Sequence, residues 1–106
     1  MVSRGKRSES DFQKIFKNKK MNPLDPLMVE GGNVYKEPVY RDSELEICFL
    51  WLGPNSGIKE HKHIKDSEIY RDIDNDSTHI CNKGESHSCY NNDKENWLVI
   101  LAIKKK

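Results

Sequence analysis

The sequence predicts an all-β fold, an antiparallel sandwich or barrel preceded by a short N-terminal arm. Three observations carry this reading. From Val34 onward, strand-length segments are separated by turn-rich stretches such as "GPNSG", "DNDS" and "NKGES". That rhythm belongs to antiparallel sandwiches and barrels. No helical periodicity follows residue 20, and the most apolar run, "WLVILAI" at 97–103, has the length of a strand.

The elements follow in order. Residues 1–20 form a basic arm, partly disordered or a short helix over "SESDFQKIF", with Ser10 as its expected cap. Phe12, Ile15 and Phe16 would share one helix face and dock on the body or on a neighbouring subunit. "MNPLDPLMVEGGN" is an irregular lead-in to a single domain over 21–106. "ELEICFLWL" places Leu45, Ile47, Phe49 and Trp51 on one face, with Cys48, Leu50 and Leu52 on the other. Apolar on both faces, it is expected at the centre of a sheet. "IKEHKHI", "SEIYRDI", "THIC" and "HSCY" read as further strands, "NNDKEN" as a polar loop, and "KKK" as the stop after the last strand.

At 106 residues, one small domain is expected. A domain of this size buries only about 60–65% of its unfolded surface, so a metal or a partner subunit would help it. The net charge of +1 indicates neither nucleic acid nor an acidic membrane as partner. Charge is unevenly placed, however. Residues 1–20 carry seven Lys/Arg against Glu9 and Asp11, while residues 21–106 carry eleven against fifteen acids. A basic arm can grip an anionic surface, but without a framework it reads as solvated. No run reaches the roughly 20 apolar residues of a membrane span, and no secretory signal is evident. Three irregularly spaced cysteines fit a reducing, cytoplasmic setting.

The stretch "EHKHIKDSEIY", 60–70, carries the functional question. Residues two apart on a strand project together, so His61 and His63 share a side about 6.5 Å apart along the strand. Glu68 can return to that side across the turn "IKDS", and His87 opens another strand. Three histidines and a glutamate form a borderline nitrogen and oxygen donor set suited to Fe, Mn, Ni, Co or Zn. Tyr70, two after Glu68, would line the same pocket as a proton donor or a hydrogen-bond partner, or serve in the core. Trp51 and Phe49 would wall the pocket or serve in the core. A second arrangement is chemically reasonable: "HIC" at 79–81 and "HSC" at 87–89 could close a zinc site, although C-x2-C and H-x3-H spacings are absent.

Residues 61–68 read H-x-H-x4-E and residues 84–91 read G-x-x-H-x-x-x-N. In this order, and between strand-like segments, the two resemble the paired motifs of the cupin superfamily over residues 34–103. The resemblance implies a small jelly-roll barrel with one divalent metal on His61, His63, Glu68 and His87, and one or two positions open to water or substrate. Departures are visible. Asn55 stands six residues before His61, and Asn82 two before Gly84, where cupins usually have glycine and proline. The glycine usual after the motif glutamate is missing. Glu68 and His87 are 19 positions apart, about one hairpin shorter than a typical cupin. The barrel is therefore expected to be more open, or completed by a second subunit as a homodimer. The function expected is metal-assisted action on, or binding of, a small polar molecule such as a sugar or organic acid. The alternative is a non-catalytic ligand-binding or degenerate structural cupin.

Overall fold

A computed structural model of the protein describes residues 1–106. In chain order the elements are β1 (Val2–Ser3), α1 (Glu9–Asn18), β2 (Asn22–Pro23), a single 3-10 turn (Pro26–Met28), β3 (Val29–Gly31), β4 (Val34–Arg41), β5 (Leu45–Leu52), β6 (Ser56–Lys62), β7 (Ser67–Asp72), β8 (Ser77–Cys81), β9 (Ser86–Asn91) and β10 (Leu98–Lys105). They form two sheets, β1-β9-β6-β3 and β2-β4-β5-β10-β7-β8. All pairings are antiparallel except β1 with β9. The architecture is an all-β jelly roll.

Strand alternation decides what lies between the sheets. On β5 the side chains of Cys48, Leu50 and Leu52 enter the main core, joined by Leu98, Ile100 and Ala102 of β10 and by Ile58, Tyr70, Cys81 and Cys89. β5 and β10 are neighbours at the centre of the larger sheet, which explains why both are apolar on both faces.

The opposite face of β5 is covered from the N-terminal segment. Phe12, Trp51, Trp97 and Val99 form a second buried cluster, with Ile15, Tyr35 and Phe49 packed on it. The Phe12 ring stacks on Trp97 with centroids 3.6 Å apart. Phe16 stays partly exposed yet lies edge-on to Tyr35 at 5.4 Å. The hydrophobic face of α1 thus docks on the body of the chain. The helix begins earlier than Ser10 would place it: Ser8 is the cap and accepts from the Asp11 amide at 3.1 Å, and Ser10 lies inside the first turn. Residues 6 and 7 bond to the Trp97 carbonyl, and the Arg7 guanidinium holds Asp74 at 2.9 Å.

Two further features differ from the sequence reading. Asn91 closes β9 rather than opening the loop after it. β10 continues through two of the three terminal lysines, pairing Lys104 with Glu46 on one side and Glu68 on the other. Lys105 pairs with Leu45 and Ser67, so backbone ladder pairing rather than ion pairing carries the strand through these residues.

Candidate metal centre

β6 and β9 bring the two motifs together. The register between them shifts between Ile58 and His61, and His61 then lies directly opposite His87. A bulge of this kind re-aims side chains. The two imidazole centroids are 4.2 Å apart, and those of His61 and His63 are 5.0 Å apart. Gly84 fastens the next loop by donating its amide to the His63 carbonyl at 2.8 Å. Its φ of +80° is open to glycine at little cost, which accounts for glycine at this motif position. Asn55, where a glycine is usual, has φ +49°. Asparagine is among the few residues that enter this left-handed region readily.

Glu68 arrives from β7. Alternation turns Glu68, Tyr70 and Asp72 inward, and all three are buried. One ligand atom from each of His61, His63, Glu68 and His87 lies within 4.8 Å of the other three. The four sequence-predicted residues are therefore together in space. Glu68 Oε2 accepts from the Tyr70 hydroxyl at 2.5 Å. The hydroxyl also meets His87 Nε2 at 2.8 Å. Since its own proton goes to Glu68, it accepts from His87. His61 Nδ1 lies 2.8 Å from the Lys59 carbonyl, which can only accept, so Nε2 is left with the lone pair.

Glu68 Oε1 and His87 Nδ1 are the unmatched atoms of the cluster. Both are buried and have no hydrogen-bond partner. The group nearest Glu68 Oε1, His63 Nε2, is 2.5 Å away, but not aligned as a hydrogen bond. A buried carboxylate oxygen without a donor is costly. Three imidazoles and one carboxylate, converging with an oxygen unsatisfied, fit a divalent transition ion. Burial holds the His87 pKa below its ordinary value, with nearby His61 adding to the effect, so the ring is a neutral donor at neutral pH. Burial also raises the Tyr70 pKa, reinforced by the bond to Glu68, so the phenol keeps its proton.

The cluster opens on a cavity of about 240 Å³ between the sheets. Its apolar wall includes Leu24, Met28, Leu50 and Ile58; its polar wall includes His61, His63, Glu68, Tyr70, Lys36, Glu46 and Lys104. The volume lies below the roughly 300–1,000 Å³ of drug-sized sites, so the cavity suits a small molecule. Trp51 and Phe49 do not wall it; they lie under α1 on the other face of β5. His79 is exposed on β8 while Cys81 is buried, so the alternative histidine and cysteine zinc site is not assembled. Lys36, Glu46 and Lys104 belong to no motif. Strict alternation would have found two of them, since Leu98, Ile100, Ala102 and Lys104 share a face, as do Glu46, Cys48 and Leu50.

No protein-family model and no curated protein matches the sequence. Solved structures do. A Thermotoga maritima protein described as a predicted oxalate decarboxylase superposes with a TM-score of 0.65 at 19% identity, over 84% of this chain and 94% of that one. A cupin 2 conserved barrel domain protein from Rhodopseudomonas palustris gives 0.54 at 7% identity, over 82% and 71%. The chain has the cupin fold. Within that fold its short middle is accommodated without displacing His87. Turn 73–76 leads into β8, which pairs with β7, and residues 82–85 return the chain to β9 beside β6.

Proposed function

We propose that His61, His63, Glu68 and His87 hold one divalent metal, drawn from Fe, Mn, Ni, Co and Zn, and that the cavity beside them takes a small polar molecule such as an organic acid or a sugar. The observation that carries this reading is the four-atom convergence around the unpartnered, buried Glu68 Oε1. The structural neighbour described as a predicted oxalate decarboxylase supports action on a small acid.

When bound, such an ion supplies Lewis-acid polarisation of a substrate oxygen, or oxygen chemistry if it is iron. The remaining roles belong to the protein. His61 is oriented by the Lys59 carbonyl. Glu68 is oriented by Tyr70, and its carboxylate sets the charge of the centre. Tyr70 keeps its proton, which it gives to Glu68 Oε2 at rest, and is the candidate donor to a substrate oxygen that takes the place of that bond. Leu24, Met28, Leu50 and Ile58 exclude water from one side of the cavity. Turnover under anaerobic conditions with Mn, Ni or Zn would mark an isomerase-type reaction; oxygen uptake with Fe(II) would mark a dioxygenase. Tight binding without turnover would favour the non-catalytic alternative, and indifference to chelation would favour a degenerate structural cupin.

We treat residues 1–20 as the arm of a single cupin-like domain over 21–106. A homodimer is the assembly we propose. β8 ends the larger sheet, and its residues 77–80 are exposed. Ile80 and its cross-strand neighbour Ile69 form an exposed apolar pair beside that edge. Neither nucleic acid nor a membrane is part of this reading; no helix is long and apolar enough to cross a bilayer. Three unpaired, buried cysteines suit a cytoplasmic location.

A further inference from the structure

The cavity holds charges that the metal centre does not use. Lys36 and Glu46 pair with each other at 2.5 Å and cancel. Lys104 is different. It lines the cavity, is half-buried, and makes no ion pair. Its ladder neighbours are Glu46 and Glu68. Glu46 is already bonded to Lys36, with Lys104 acting on it only as a longer-range charge. Glu68 is bonded to Tyr70 through Oε2, while its Oε1 faces the histidine cluster. An ammonium partly removed from water, with neighbouring carboxylates engaged elsewhere, is a site prepared for an external anion.

Charge balance identifies that anion more closely. A divalent ion among three neutral imidazoles and one carboxylate leaves a single positive charge. Lys104 adds a second on the same cavity wall. We infer that Lys104 is the specificity-determining residue of the cavity and that its ligand is a small dianion with two carboxylates on a short carbon frame. One carboxylate would face the histidine cluster and the other Lys104. This rests on the metal reading above and narrows it from polar molecules in general to dicarboxylates. A neutral sugar would bring no negative charge to set against either positive charge.

The experiment is calorimetric titration of the metal-loaded protein with malonate, succinate and acetate, with bound metal measured in every sample. The expected result is that malonate or succinate binds the wild type at least about tenfold more tightly than acetate does. Lys104→Gln and Lys104→Met should lose that advantage while keeping the wild-type metal content and acetate affinity, and Lys104→Arg should retain most of it. Wild-type preference surviving in Lys104→Gln, or no preference in a metal-loaded wild type, overturns the inference alone. A protein that takes up no metal overturns the metal reading and this inference with it.

Discussion

The Tyr70 hydroxyl donates to Glu68 Oε2 at 2.5 Å, from two residues further along the same strand, and accepts from His87 Nε2 on the opposite sheet. One phenol thus ties the first motif to the second. Replacing it with phenylalanine removes the proton but keeps the ring. Tyr70→Phe should cost about 1–3 kcal/mol in chemical denaturation, because two buried polar groups lose their partner. If the protein is an enzyme, turnover should fall about a hundredfold or more at unchanged metal stoichiometry. Loss of metal together with turnover would instead make Tyr70 a positioning residue.

His87 makes stability depend on pH. Its pKa is held below the ordinary 6.5 by burial. The unfolded chain therefore binds a proton before the native one does as pH falls. Stability of the metal-free protein is complete above about 6.5 and declines as pH drops from there towards the lower native value. Denaturation midpoints between pH 5 and 7.5 should show this slope, and His87→Gln should flatten it. A midpoint that rises on acidification would contradict the assigned burial.

Asn91, the last residue of the second motif, joins three parts of the chain. Its amide donates to the carbonyls of Leu52, Gly53 and Asn96, and its oxygen accepts from the amides of Gly5 and Asp93. It is fully buried. Asn91→Ala should lower stability by about 2–4 kcal/mol by leaving several of these groups unpaired. A thermal melt would register this as a fall of many degrees, with metal affinity affected only through folding.

Phe12→Ala should also be costly, by about 3–5 kcal/mol, since it empties the cluster between α1 and the two tryptophans. Tryptophan emission should shift to the red as Trp51 and Trp97 become hydrated. An unchanged spectrum would mean that the first 20 residues do not pack on the sheet in solution.

The thiols should be inert. Burial pushes Cys48 up to about 11 and Cys89 up to about 12. At pH 8 both should resist alkylation in the native protein and react at once in denaturant.

What the sequence disclosed about this molecule was mostly local. Alternation along "ELEICFLWL" sorts Cys48, Leu50 and Leu52 from Phe49 and Trp51 correctly, because a strand has a period of two whatever its partners. The spacing of His61, His63 and Glu68 likewise survives folding, since a strand, a short turn and a strand leave little freedom. Glu68 and Tyr70 share a face for the same reason. The remainder depends on distant partners. Ser8 rather than Ser10 caps α1, and both serines are acceptable caps in isolation. Phe12 finds Trp97 some 85 positions away, which no local pattern can show. Lys104 reads as the polar stop after an apolar strand. Alternation puts it on the face of Leu98, Ile100 and Ala102 once β10 is known to run on through it, and the pairing of β10 between β5 and β7 is what extends the strand that far. The approach of His87 depended on how the shortened middle would turn, and one tight turn with one edge strand accomplishes it.

The assembly proposal has a simple check. Light scattering should give twice the 12.4 kDa chain mass at micromolar concentration. A charged residue on the exposed edge, Ile80→Lys, should return the protein to a monomer. A wild type that is monomeric throughout would remove β8 as an interface.

The central claim is that four side chains converge on one ion, and the most direct measurement is elemental analysis of protein purified without a histidine tag, beside the His61→Ala/His63→Ala double variant. About one equivalent of a transition metal is expected in the wild type and none in the variant, with both chains folded by circular dichroism. No metal in the wild type, even after reconstitution with each of the five candidate ions, would contradict the claim and leave the cluster as a hydrogen-bonded part of the core.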